Sequence, residues 1–157
     1  MAIRSAAKAI IVHEGKVLLN RCTGHLGGTY FDLPGGGQRQ FETLEEAAIR
    51  ECLEETGRLI EIVRFAALCE EIFDDAALRE KFLDYTHRIH HIFLAELANE
   101  QVLPPTETDY QQDESQWDHM DEVPLVDLRP KLIRNHFLQI LKSHTPLYLG
   151  AAHISSY

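Results

Sequence analysis

The amino-acid sequence predicts an α/β fold built as one unit. Three observations carry this: paired apolar runs around a short turn near the start, one helix with clear signals at both ends, and later apolar runs of strand length that lead into a stretch with helical spacing. Residues 7–12 and 16–20 flank His13-Glu14-Gly15, which predicts a β-hairpin. The loop 23–29 holds Gly24, Gly27 and Gly28, and residues 30–33 lead from it to the next glycine run. Pro34-Gly35-Gly36-Gly37 is expected to stop any regular element and to leave backbone amides and carbonyls unshielded by side chains. Thr43-Leu44-Glu45-Glu46 has the form of a capping box, so a helix is expected to run to Thr56, with Gly57 as its stop. Residues 59–63, 65–73 and 89–97 read as strands, and 74–81 as a loop or short helix. A polar connection over 103–113 precedes a strand at Gln116-Trp117, and residues 128–141 carry apolar positions at helical spacing around Pro130.

Composition narrows the function classes. The chain has 157 residues, 15 Lys and Arg against 25 Asp and Glu, and a net charge of −10, with 45% hydrophobic and 25% charged residues. These values fit one acidic globular domain and exclude a disordered, collagen-like or mainly coiled-coil chain. The longest stretch lacking Asp, Glu, Lys and Arg, residues 143–157, is interrupted by Ser, His, Pro and Gly and is shorter than the roughly 18 apolar residues of a membrane span. No membrane partner is expected. Arg4 and Lys8 lie among short apolar pieces that pass into a strand pattern, unlike a cleavable signal peptide. Cys22, Cys52 and Cys69 are widely spaced and odd in number, which suits a reducing cytoplasm better than a disulfide framework. The acidic balance opposes bulk nucleic-acid binding, since phosphate backbones are held mainly by Lys and Arg. An anionic ligand would therefore need a local site, most simply one built on a metal ion.

The predicted helix offers such a site. At about 100° per residue, with Glu51 set at zero, Glu54 falls near −60° and Glu55 near +40°, so three carboxylates share one face. Ile49 and Leu53 lie roughly opposite and are expected to pack on the sheet, while Ala47 and Ala48 beside the acidic face leave room for a ligand. Like charges at this spacing destabilise a helix by a few tenths of a kcal/mol. Either the face is solvated decoration or the carboxylates hold Mg²⁺, with Mn²⁺ as a substitute, both hard cations that prefer oxygen and bridge to phosphates.

The surroundings favour the metal. From Gly36 the chain reads Gly, five residues, Glu42, seven residues, then Arg50-Glu51-Cys52-Leu53-Glu54-Glu55-Thr56-Gly57, which resembles the Nudix box of the Nudix hydrolases over residues 36–58. Seven coincident matches at a given start have a chance on the order of 10⁻⁸. The resemblance implies an α/β/α sandwich with a mixed β-sheet over residues 1–142, with 143–157 set apart as a tail. It implies hydrolysis of a phosphoanhydride in a nucleoside diphosphate linked to another moiety, with a divalent metal required and water as the nucleophile. Compounds like ADP-ribose, nucleoside triphosphates and sugar nucleotides all compete as substrates. The proline that often follows the box by about fifteen residues in ADP-ribose enzymes of the family has no counterpart here, where Phe73 and Asp74 stand and no proline occurs between Gly57 and Pro104.

Carried over position by position, Glu51, Glu54 and Glu55 would be metal ligands, one of them instead assisting the attacking water. Gly36 or its neighbour Gly35 would add a backbone carbonyl. Arg50 and Glu42 would orient the carboxylates, although the residues alone also allow Arg50 an ordinary ion pair with Glu46 or Glu54. Glu114, from a loop beyond the box, is the candidate for the further acid seen in many members, with Asp113 close behind. Arg21 and Arg88 are candidate phosphate contacts because guanidinium matches phosphate bidentately. His87, His90 and His91 alternate along a strand and are expected to pack at its core or edge. The resemblance also implies a homodimer as an assembly.

Arg39, Phe41 and Arg58 depart from the common pattern, Phe41 standing where many members have Gly and so able to restrict the loop or cover a substrate. Phe41 motivates a second reading, a Nudix-fold module that binds or regulates without useful turnover. The intact metal-ligand positions argue against it.

Overall fold

In the computed structural model, which describes residues 2–108 and 111–155, Arg4–His13 (β1) and Lys16–Thr23 (β2) form the expected hairpin. Glu14 and Gly15 take φ of 49° and 76°, the paired positive values that a two-residue hairpin turn requires. Thr29–Asp32 (β3) lies antiparallel to β2. The glycine run departs from expectation, because Gly35–Gly37 (β4) pairs antiparallel with β1 instead of ending all regular structure. Its lack of side chains is what permits this pairing. A β-carbon on Gly35, whose φ is 135°, would meet the Ala7 carbonyl oxygen at 2.3 Å.

Leu44–Thr56 (α1) follows, with Thr43 and Glu46 closing both halves of the capping box and Gly57 ending the helix at φ 71°. Ile60–Phe73 (β5) is one long strand where two are expected. Irregular register between Ile62 and Arg64, and again between Phe65 and Ala67, breaks the side-chain alternation without breaking the strand. Ala76–Lys81 (α2) is a short helix capped by Asp75, and His87–Leu97 (β6) lies antiparallel to β5 and parallel to β1. Gln112–His119 (β7) starts earlier than expected and pairs with β2; its polar residues carry little of the apolar signal that marks a strand. Leu128–Arg129 (β8) adds to β3, and Lys131–Lys142 (α3) begins after Pro130. Leu147–Ile154 (β9), within the segment set apart as a tail, runs parallel to β5.

The resulting mixed sheet has the order β8-β3-β2-β1-β6-β5-β9, with β4 beside β1 and β7 beside β2. Alternation along β1 separates two cores. Ile10 packs with Ile133, Phe137 and Ile140 of α3, whereas Ala9 and Ile11 pack with Cys52 of α1. The helices therefore cover opposite faces of the sheet, the sandwich the sequence leads one to expect. Among the described residues no helix is long and apolar enough to cross a membrane, and the three cysteines are buried without forming a disulfide.

Candidate active site

The face of α1 that meets the sheet is small-residued. Ala47 and Ala48 are buried against Ala7 and Phe93, and Cys52 against Ala9 and Leu18. This corrects the expectation that the alanines border open space and that Ile49 and Leu53 form the inward face. Small side chains let the helix lie close to β1, and Ile49 packs only at the margin. The same rotation carries Glu55 inward. Glu55 is 3% exposed, and its Oε2 accepts from Asn20 Nδ2 at 2.7 Å and from the Gly35 amide at 3.1 Å. It is thus not on the exposed face with Glu54. Asn20 in turn accepts from Ser115 Oγ at 2.8 Å, so β2, β7 and the glycine bend all converge on this carboxylate.

Glu51 and Glu54 stay together, joined through Arg50. Arg50 Nη1 donates to Glu51 at 2.7 Å and to Glu54 at 3.2 Å, and Nη2 donates to the Gly37 carbonyl at 3.0 Å. Its Nε and Nη2 grip both oxygens of Glu42, at 2.6 and 2.9 Å. The ion pair with Glu46 does not form, because Glu46 is spent on the helix cap. One planar guanidinium thus gathers three carboxylates and a glycine carbonyl, which offsets the repulsion along the helix. The bond to Arg50 holds the Glu42 carboxyl down to about 2, and Arg50 itself is raised mainly by that same bond.

A depressed carboxylate stabilises the fold at pH values above its ordinary range, and the contribution is lost as pH falls through the folded value. Thermal melts are therefore expected to show the parent losing stability between the ordinary carboxylate range and about pH 2. Glu42→Gln should be less stable at neutral pH and should show a flatter acid limb; an unchanged limb would remove Glu42 from this role.

Gly36 sits against the carboxylates. A β-carbon there would meet Glu51 Oε2 at 2.6 Å, so only glycine fits this bend with Glu51 in place. The helix end is held by a loop whose polar sequence reads only as a connection. The amides of Thr106 and Glu107 donate to the Glu54 carbonyl at 2.9 and 3.1 Å, and the Leu103 amide donates to the Gly57 carbonyl at 2.8 Å. These bonds satisfy helix-end carbonyls that otherwise have no partner.

The other expected residues are scattered. Glu114 lies in β7 rather than on a loop, opposite Arg21 of β2. Strand alternation turns it away from the face on which Ser115 reaches Asn20, so it is not brought to the carboxylates of α1. Arg21 lies 3.8 Å from Asp113. Arg88 pairs with Glu71 at 3.0 Å and stands over the Phe73 ring. His90 shares that Glu71 oxygen at 2.9 Å, fully buried, and burial lowers its pKa. His90 and His91 pack in the strand as expected, and His87 pairs with Glu70. Phe41 is 97% exposed with a φ of 68°.

Sequence reasoning missed Asn20, Lys8 and Glu71. Lys8 is buried and donates to Asp32 at 2.9 Å and to the Leu33 carbonyl at 3.1 Å, bracing the approach to the glycine bend. Its signal was available: one lysine inside an otherwise apolar strand must find acceptors. Asn20 and Glu71 carry no comparable signal.

Among the described residues no three His, Cys, Asp or Glu side chains converge as a metal cluster, and Arg50 lies between Glu51 and Glu54. The donor chemistry nevertheless fits a hard dication. Carboxylate oxygens stand at a bend where glycine leaves the backbone bare and a β-carbon would collide with Glu51.

Comparison with known proteins gives this arrangement its class. The NUDIX domain family model matches residues 2–138, and the chain belongs to that family, whose enzymes are pyrophosphohydrolases acting on acid anhydrides. Among solved structures it is similar to a MutT mutator protein from Bacillus halodurans, at 21% identity over 98% of this chain and 91% of that one, with a TM-score of 0.72. A MutT Nudix hydrolase from Burkholderia pseudomallei is 27% identical over 77% of this chain and 86% of its own, with a TM-score of 0.58. An ADP-ribose pyrophosphatase from Streptococcus suis is 19% identical over 94% and 99%, with a TM-score of 0.61.

Proposed function

We propose that this Nudix enzyme hydrolyses a phosphoanhydride bond in a nucleoside diphosphate linked to another moiety, with Mg²⁺ or Mn²⁺ as cofactor. The observation that carries the reading is the Arg50 assembly, in which one guanidinium holds Glu42, Glu51, Glu54 and the Gly37 carbonyl beside a glycine run whose first residue, Gly35, has no room for a β-carbon against the β1 backbone. Glu51, Glu54 and Glu55, with a carbonyl of Gly36 or Gly35, would hold the dication. When bound, such an ion lowers the pKa of water and neutralises charge developing on phosphoryl oxygens. Arg50 orients Glu51 and Glu54 and releases them as they turn to a ligand, while Glu42 keeps the guanidinium in place. Glu55, fixed by Asn20 and the Gly35 amide, ties the bend to the helix so that carboxylates and backbone move as one body.

In this reading a second acid assists the attacking water. Glu114 keeps its candidacy only if β7 shifts on binding. Arg88 contacts phosphate less readily than Arg21 or Arg39, since it is engaged with buried Glu71 at 3.0 Å, whereas Arg21 and Arg39 are each paired only loosely, at 3.8 and 3.7 Å, and stay more exposed.

Incubating the chain with a panel of sugar nucleotides, ADP-ribose and nucleoside triphosphates, with and without Mg²⁺, tests the proposal. Products resolved by mass should show cleavage between phosphorus atoms that depends on the metal. Intact compounds across the panel, with the protein folded, would overturn it.

A further inference from the structure

Phe41 occupies a place that neither folding nor packing explains. The Glu42 amide donates to the Arg39 carbonyl at 3.2 Å, so Gln40 and Phe41 are the central residues of a turn, and the positive φ of 68° falls on the second of them. A type II turn demands that sign there, and glycine or asparagine normally supplies it. A β-branchless but bulky aromatic in the left-handed region is strained, and a ring left in water gains nothing from burial. Strained, exposed residues of this kind persist where function requires them.

The turn is rigidly tied to the carboxylates. Glu42 Oε2 accepts from the Arg39 amide at 2.9 Å, Gln38 Nε2 donates to the Glu42 carbonyl at 2.7 Å, and Ser5 Oγ donates to Gln38 at 2.9 Å. Through Glu42 the same turn is locked to Arg50 and hence to Glu51 and Glu54. Two residues before Phe41, the largely exposed Arg39 guanidinium lies 3.7 Å from Glu54 and faces solvent with the rest of its surface. One turn at the margin of the carboxylate site therefore carries both an exposed aromatic ring and a cation.

We propose that Phe41 is a specificity-determining residue whose ring stacks on the base of a nucleoside diphosphate, with Arg39 meeting its phosphates. This deepens the phosphoanhydride reading and rests on it. Every base offers a π-face, so such a platform selects for nucleotides over ring-free polyphosphates without choosing strongly among bases. Two torsions fix the ring, which keeps the cost of ordering it low.

Titration calorimetry with ADP and with inorganic pyrophosphate, each with Mg²⁺, tests this on the parent, Phe41→Asn and Phe41→Tyr. Asparagine tolerates the left-handed turn and lacks a ring, so that variant is expected to melt no lower than the parent. Its affinity for ADP should fall by about 10-fold, while that for pyrophosphate stays unchanged and tyrosine restores the parent value. An unchanged ratio of ADP to pyrophosphate affinity in Phe41→Asn overturns the assignment. So does a drop in particle mass by light scattering in that variant, which would give the ring to contact between two copies. Failure of the parent to bind either compound instead overturns the phosphoanhydride reading itself.

Discussion

Glu54→Gln is expected to lower kcat by about three orders of magnitude while leaving the melting temperature within a few degrees of the parent value. The substitution keeps the size of the side chain and removes its charge. Glu54 is only one of three carboxylates on Arg50 and forms its longest bond there, at 3.2 Å, so the fold loses little. Glu55→Gln is expected to behave differently. Its Oε2 accepts from two donors in a buried setting, and an amide presents an N–H to one of them if it turns that way. A loss of roughly 1–3 kcal/mol of stability should then accompany the loss of rate. Paired melts and steady-state kinetics separate the two cases. Equal destabilisation by both variants would mean that the burial difference between neighbouring glutamates has no energetic weight.

The second large effect concerns Arg50. Arg50→Ala leaves Glu42, Glu51 and Glu54 with their repulsion uncompensated, and stability is expected to fall by roughly 2 kcal/mol or more. Arg50→Lys is the sharper test, because it preserves the charge and discards the planar fork. One ammonium cannot span both oxygens of Glu42 and also reach Glu51, Glu54 and the Gly37 carbonyl. kcat/KM should drop by about 10–100-fold, the usual cost of removing a residue that orients ligating groups. Parent-like turnover in Arg50→Lys would show that charge alone, without bidentate geometry, arranges the site.

Much of this site could be read from residue spacing, and the parts that could not have physical reasons. The capping box and the Gly57 stop are local, so α1 forms where its sequence places it. The wheel correctly groups Glu51 with Glu54. It does not foresee that Glu55 is buried, because an angle of about 40° says nothing about which side meets the sheet; that depends on whether the contact is made by Ala48 and Cys52 or by Ile49 and Leu53. The pairing of Gly35–Gly37 with β1 is likewise nonlocal, since glycines mark a close approach without naming the strand that approaches. Only the second half of β7 is expected, because Gln112, Asp113, Glu114 and Ser115 lack an apolar face of their own and take their order from β2. β9 is missed for a related reason: its small residues around Gly150 carry a weak pattern, and β5 supplies the register. Lys8 could have been found from sequence, whereas Asn20 becomes visible only once β2 is laid beside the helix.

Binding of Mn²⁺, followed by electron paramagnetic resonance with ADP present, tests the central claim most directly. The parent should take up the ion, and Glu54→Gln should bind it at least about 10-fold more weakly while remaining folded. Equal Mn²⁺ affinity in parent and variant would contradict the assignment of the α1 carboxylates as the metal-holding group.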